Sequence, residues 1–263
     1  MALNFSDVDR AFLNAESRFE YRDCRETLEQ MLPEATTDAD RASVHWRISR
    51  ICVLLGDYED GIEHANEAIR LNPSDEHGYM WHCANVGREC QRHSLTVQAT
   101  KVPTMEKDLN TILNKLGKTR YSEAWQALAE LYDGHPLKSG DAAINYARRA
   151  VVTIPKSELR MQSWLYLATL LNRRGWSAEK KERQRDSHRD DFANTKKKNT
   201  DRYAYYDGAP AGEWPWASYG MSDKEEALSI LNYAVSLYES RSSHVRMDIE
   251  TYNQILDTIR KWK

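Results

Sequence analysis

One segment, residues 42–75, constrains the fold of this chain more than any other. It contains two helical patterns separated by a turn, and its marker residues are Gly56, Asp57, Tyr58, Gly61, Ala65, Ala68 and Pro73. The small residues at positions 61, 65 and 68 share one stripe of the second helix, where the first helix can approach closely. Gly56 ends the first helix, Asp57 caps the second, and Pro73 stops it because proline cannot continue the helical hydrogen-bond ladder. The segment therefore predicts a helical hairpin.

Further copies of this hairpin lie on both sides. The upstream copy has a first helix over residues 6–15 and a turn at residues 19–24 that lacks the turn glycine. The strongest downstream copy ends at Pro155, and its first helix is marked by Trp125, Leu128, Ala129 and Tyr132. Another first helix follows over residues 164–175. Because a unit that recurs about every 34 residues is typical of stacked helical arrays, these copies predict a repeat protein.

The markers resemble the tetratricopeptide (TPR) repeat, which combines a Trp-x-x-Leu-Gly-x-x-Tyr helix, a Gly-Asp-Tyr turn, small residues and a closing proline. This resemblance covers about residues 5–175 at a period of about 34 residues. A narrower one, over about residues 42–160, is to the regulator-of-microtubule-dynamics family and, loosely, to bacterial TPR lipoproteins that assist transport. The TPR resemblance implies an all-α fold, a right-handed α-solenoid of helix hairpins with a concave inner face.

The pattern changes after Gly175. Residues 173–202 hold 11 Lys or Arg against 6 Asp or Glu, and residues 203–219 are a loop rich in tyrosine and tryptophan. Ser222 and Glu225 then form a capping box that opens an amphipathic helix, and a last helix follows. We therefore expect three regions. They are a TPR-like array of about four units plus a partial one (1–175), a basic helix with an aromatic loop (176–221), and a C-terminal helical hairpin cap (222–263).

Composition and charge narrow the function classes. The net charge is −3, which opposes a general role in binding nucleic acid, although Lys196, Lys197 and Lys198 lie beside tyrosines. No apolar run is long enough to cross a membrane. The first residues lack the features of a secretory signal, so we expect a cytoplasmic protein, or an exported one if a signal sequence has been removed.

Catalysis and metal binding have little support in the sequence. It contains no nucleophile elbow, metalloprotease helix motif or nucleotide loop, so we predict a protein that is not an enzyme and holds no cofactor. The densest set of metal-ligand types is His77, His82, Cys83, Cys90 and His93. His82 and Cys83 point about 100° apart on a helix, which prevents the convergence that a zinc site needs. We predict no metal site.

The first helices carry the candidate binding residues of the repeat array. Trp46, Arg47, Arg50 and Trp81 lie on helices that line the concave face in the TPR fold. The two arginines suit an acidic peptide, and ordinary surface arginines are the equally supported alternative. The chaperone-tail type of TPR holds a terminal carboxylate with Lys and Asn, and the corresponding positions here, such as Asp9 and Leu13, depart from that pattern.

The aromatic loop supplies the remaining candidates, Trp214, Trp216 and Tyr219. Exposed tryptophans are costly, so the loop either packs as a plug across the inner groove or presents a surface to a partner. The predicted function is a protein-interaction scaffold that presents a concave TPR groove to a protein or peptide. The alternative is a small-molecule binding or transport-accessory TPR protein that uses loop 203–219. Partner identity and oligomeric state stay open.

Overall fold

The computed structural model describes residues 3–135 and 137–263, and the regular elements among them are all helical. The predicted all-α class is confirmed. Three short irregular turns interrupt the α-helices, namely 3₁₀ turns at Leu32–Glu34 and Tyr206–Gly208 and a π turn at Thr111–Lys115. The α-helices are α1 (Ser6–Asn14), α2 (Arg18–Met31), α3 (Asp38–Leu55), α4 (Tyr58–Leu71), α5 (Glu76–Cys90), α6 (Leu95–Asn110), α7 (Ser122–Gly134), α8 (Gly140–Val152), α9 (Met161–Arg174), α10 (Ala178–Asn194), α11 (Asn199–Tyr203), α12 (Asp223–Glu239) and α13 (Arg246–Trp262).

The described chain falls into two compact units that divide after Lys118. Unit 1 contains α1 to α6, and unit 2 contains α7 to α13. The division by sequence character into residues 1–175, 176–221 and 222–263 stays a prediction. Within the described residues, no helix combines the length and the apolar character that crossing a membrane requires.

The hairpin of α3 and α4 is the clearest repeat of unit 1. The Thr37 side chain caps α3 by accepting from the backbone N–H of Asp40, and Gly56 ends α3 with a left-handed φ of 81°. Gly61 on α4 lies close to both α3 and α5. Its carbonyl accepts from the Ser49 hydroxyl of α3 at 2.7 Å, and an added Cβ would lie 2.3 Å from the Asn85 side chain of α5. The glycine therefore permits the close approach of α5 as well as of α3.

Unit 2 contains two hairpins and an insertion. α7 packs against α8, and α9 packs most extensively against α12. Ala227, Leu231 and Ala234 of α12 repeat the spacing of the small residues in α4, and this spacing is the sequence signal for a second helix. Residues 176–221 are thus an insertion between the two helices of one hairpin, and α13 packs on both α9 and α12.

The insertion lies against α8. Tyr146 of α8 donates its hydroxyl to the Thr200 carbonyl at 3.0 Å, and Asn145 donates to the Ala204 carbonyl at 2.8 Å. A Cβ added to Gly208 would lie 2.4 Å from the backbone oxygen of His188, so the turn at 206–208 packs directly on the backbone of α10. These contacts fix the aromatic loop within unit 2.

Candidate binding surfaces

One face of α3 in unit 1 collects three of the predicted binding residues around a carboxylate. Arg47 donates from Nε to Oδ1 of Asp9 at 3.0 Å and from Nη2 to Oδ2 at 2.8 Å. Arg50 donates from Nη2 to Oδ1 of the same aspartate at 2.9 Å. Asp9 belongs to α1, so two arginines of one helix hold a single carboxylate of another. We define the α3 face as Trp46, Arg47 and Arg50.

Aromatic rings complete the α3 face. The Arg47 guanidinium lies 3.9 Å from the ring centre of Phe5 and 4.0 Å from that of Trp46, and the Arg50 guanidinium lies 3.8 Å from that of Phe12. At these distances guanidinium groups gain from cation–π attraction as well as from ion pairing. The two arginine side chains are 12% and 15% exposed. They are therefore engaged internally and are not the free surface arginines that one sequence alternative described.

The two arginines favour the ionised form of the Asp9 carboxylate. Burial alone would raise its pKa, but the hydrogen bond from Arg47 and the charges of Arg47 and Arg50 outweigh burial. The pKa of Asp9 consequently lies below its ordinary value, and the group is ionised at neutral pH. Bonds between ionised groups of this kind are about twice as strong as neutral ones.

Trp46 and Trp81 differ in their surroundings. Trp46 is 8% exposed and stacks on His77 of α5 with ring centres 4.4 Å apart. Trp81 lies one turn further along α5 and is half-buried, and its carbonyl accepts from Asn85 at 2.9 Å. Its indole N–H is buried and has no hydrogen-bond partner among the described residues. The structure thus places Trp46 on the α3 face and Trp81 on α5.

The aromatic loop forms a second cluster, in unit 2. Trp214 and Trp216 are only 5% and 6% exposed, whereas Tyr219 is 41% exposed. Two guanidinium groups approach the Trp214 ring, that of Arg148 at 5.1 Å and that of Arg185 at 5.2 Å from the ring centre. The loop packs into its own unit, so a binding role for its tryptophans requires the loop to open and stays a prediction.

A buried carboxylate organises the cations beneath this loop. Glu226 of α12 is fully buried, and its Oε2 lies 2.8 Å from Nη2 of Arg148 and 2.8 Å from Nζ of Lys181. Its Oε1 accepts from the Trp216 indole N–H at 3.1 Å. Burial would raise the pKa of Glu226, but the charges of Arg148 and Lys181 outweigh it and hold the pKa well below its ordinary value. Glu226 therefore ties α8, α10, α12 and the loop together.

The basic helix α10 is more buried than its polar sequence predicts. Nearly every residue of 178–193 is polar, which is typical of a solvent-exposed helix, yet Lys181, Arg185 and Phe192 are buried and His188 is half-buried. These four positions follow helical spacing, and the stripe was missed because three of its members are basic. His188 bonds to Asp207 at 2.8 Å through Nδ1, and this bond raises the pKa of His188. Lys196, Lys197 and Lys198 are exposed.

The residues with metal-ligating side chains have other partners. His82 bonds to Asp108 at 2.6 Å, and His93 contacts Glu89 at 3.2 Å. One group among the described residues brings three possible ligand atoms within 4.8 Å of one another, at the start of α5, and its members are Asp75, Glu76 and His77. Asp75 accepts from both the backbone N–H and the ring of His77, so these bonds already account for the geometry of the cluster.

Comparisons with known proteins identify the fold. Neither the models of protein families nor the curated proteins contain a match. Among solved structures, the chain is similar to the crystal structure of a thermophilic TPR protein from Thermus thermophilus. The TM-score is 0.60 at 13% sequence identity, and the alignment covers 92% of this chain and 91% of that one. The fold is TPR-like. The narrower resemblances, to regulators of microtubule dynamics and to transport lipoproteins, stay predictions.

The sequence named Arg47 and Arg50 as candidates but did not name Asp9 as the carboxylate that they hold. Asp9 was judged only by its departure from the chaperone-tail pattern. The available signal was the spacing of Phe5, Asp9 and Phe12, which are four and three residues apart and therefore share one helix face. Glu226 was missed for a different reason, because it lies three residues after a helix start where acidic residues are common for capping.

Proposed function

We propose that this protein is an interaction scaffold whose α3 face binds an acidic segment of a protein partner. One observation carries the proposal: the α3 face already holds a carboxylate from another helix, through three hydrogen bonds of 3.0 Å or less. A scaffold role without catalysis accords with the TPR-like fold, although fold alone names neither a function nor a partner.

The chemistry of the α3 face is selective for acid. A guanidinium that donates twice to one carboxylate fixes both its position and its orientation, which a lysine ammonium cannot do. The rings of Phe5, Phe12 and Trp46 cover the two guanidinium groups, and this partial exclusion of water strengthens their electrostatic attraction to a carboxylate. Arginine and tryptophan are also the residue types that contribute most to protein interfaces.

The experiment is quantitative affinity capture from an extract of the source cells, with three forms of the full chain. We expect the wild type to recover a protein with an acidic segment and Arg50→Gln to lose it. The matched control is Arg41→Gln, because Arg41 lies on the same helix, is 44% exposed and pairs with Asp38 rather than with α1. Equal recovery by all three forms, or no recovery by any, would contradict the proposal.

The second function predicted from the sequence, small-molecule binding or transport assistance through loop 203–219, has narrower support. Tyr219 is exposed, but its hydroxyl donates to the Ala209 carbonyl at 3.0 Å, and the two tryptophans are buried. A ligand that opens the loop should shift the tryptophan emission towards that of exposed indole. An unchanged emission across a metabolite panel would count against this function.

A further inference from the structure

Helix α1 presents a compact recognition pattern to the α3 face. Phe5 precedes its first turn, Asp9 follows four residues later, and Phe12 three residues after that. The two rings stack on Arg47 and Arg50, and the carboxylate between them bonds to both arginines. The α3 face therefore binds two aromatic rings and the carboxylate between them, at the spacing of one helix face.

The rest of α1 is weakly held. The helix is nine residues long, Phe5 gives it no side-chain cap, and Val8 alone is buried within it. A cleft of about 480 Å³ opens between α1 and α2, and Val8 and Ala11 line it on one side with Cys24 on the other. Leu13, near the end of the helix, is 60% exposed. A short helix with so few buried contacts belongs to the least stable part of a fold.

The α3 face also has a hydrogen-bond donor that α1 leaves unsatisfied. The Nε of Arg50 is buried and has no hydrogen-bond partner in the described residues. An unsatisfied buried donor costs free energy that a suitable acceptor would recover. A partner helix whose carboxylate reaches this nitrogen, as the longer glutamate is designed to do, would satisfy a donor that Asp9 leaves unsatisfied.

We infer that α1 is an internal stand-in for the partner: the α3 face takes a partner helix with the pattern aromatic-x-x-x-acid-x-x-aromatic, and α1 occupies the face until that helix displaces it. This inference rests on the proposed function. Because α1 is tethered, it competes at a high effective concentration, and only a helix of matching chemistry gains access. The apparent affinity of the partner is reduced by the fraction of time that α1 is docked.

The test uses the full chain and a defined probe. The probe is a fluorescent synthetic peptide with the sequence of residues 3–15 and glutamate in place of Asp9, and its binding is followed by anisotropy. In the protein, Asp9→Asn keeps the side-chain size but removes the charge that holds α1 to Arg47 and Arg50. We expect Asp9→Asn to bind the probe about tenfold more tightly than the wild type does, or better.

Three controls make the result specific. Asp7→Asn removes a charge from the same helix, but its side chain is 85% exposed and pairs with Arg10, so this variant should bind like the wild type. Adding Arg50→Gln to Asp9→Asn should abolish binding. Phe12→Ala loosens α1 without a change of charge and should strengthen binding as Asp9→Asn does, which covers the case in which Asp9→Asn folds poorly.

The outcomes separate the inference from the function on which it rests. One outcome is that the wild type, Asp9→Asn and Phe12→Ala bind the probe with equal affinity, while the variant that also carries Arg50→Gln does not bind it. This outcome would overturn the displacement of α1 and leave the α3 face as an acid-binding surface. Absence of binding to every variant that keeps its helical circular dichroism would overturn both.

Discussion

Glu226 shows how much a single buried side chain contributes to unit 2. Arg148, Lys181 and Arg185 all approach its carboxylate, and their side chains are no more than 3% exposed. Three buried cations around one anion are stable only while that anion is charged, since each isolated charge would be costly in the interior. We therefore expect the charge of Glu226 to keep the insertion packed on α8 and α12.

Replacing Glu226 by glutamine tests this dependence. The neutral amide takes the carboxylate partner away from Arg148 and Lys181, while Arg185 keeps its ion pair with Glu182 at 2.7 Å, so we expect the free energy of unfolding to fall by about 3–5 kcal/mol. Urea denaturation followed by circular dichroism measures it. Glu250→Gln is the matched control, because Glu250 is exposed and pairs with the exposed Arg246 one turn away. A loss for Glu226→Gln no larger than that of the control would contradict the account.

The histidine pair His45 and His64 sets a pH dependence for unit 1. Their Nδ1 atoms lie 2.8 Å apart between α3 and α4, so at most one of them carries a proton there. Burial lowers the pKa of both rings, and the charge of His64 lowers that of His45 further. The nearby charges of Asp60 and Glu67 oppose this but do not reverse it.

Stability should therefore fall on acidification. A histidine whose pKa is lower in the folded state binds fewer protons there than in the unfolded chain, so the unfolded chain gains below about pH 6.5. We expect the free energy of unfolding to decrease from pH 7 to pH 5, and we expect His64→Gln to flatten part of that slope. His93→Gln, an exposed histidine, is the control. A slope identical in the wild type and His64→Gln would contradict the role of this pair.

At the scale of the helices, the hairpin of α3 and α4 was predictable because its signals are local. Gly56, Asp57 and the small residues of α4 act through backbone conformation and close packing, and both are visible in short sequence windows. The pairing of α9 with α12 was not predicted, since the insertion separates the two helices and breaks the period. The buried face of α10 was missed because lysine and arginine are normally exposed.

Gly61 tests the packing between hairpins. An alanine there would place its Cβ 2.3 Å from the Asn85 side chain, so this side chain has to leave its hydrogen bonds to Ser49 or α5 has to shift. We expect Gly61→Ala to lower the free energy of unfolding by about 1–3 kcal/mol. Gly140→Ala is the control, because a Cβ added there meets no described atom within 4 Å beyond its chain neighbours and its own helix backbone. Equal stability of the two variants would show that α5 is not held closely at Gly61.

At the scale of the whole molecule, the TPR-like repeat class was predictable and the candidate binding surface only partly so. The repeat period predicts stacked hairpins, because similar residues at this period form stacked hairpins in many proteins. The engagement of Arg47 and Arg50 by α1 depends on a contact between distant parts of the chain, and spacing within α3 does not reveal it. The same limit applied to Trp214 and Trp216, whose burial follows from an insertion folding back on α8.

Hydrogen exchange of α1 in the wild-type chain tests the central claim most directly. The measurement compares the exchange of Ser6–Asn14 with and without a saturating amount of the acidic–aromatic probe peptide. The account predicts that the amides of α1 lose protection when the peptide binds, while those of α3 keep theirs. Saturation of the chain by the peptide with α1 still fully protected would contradict it.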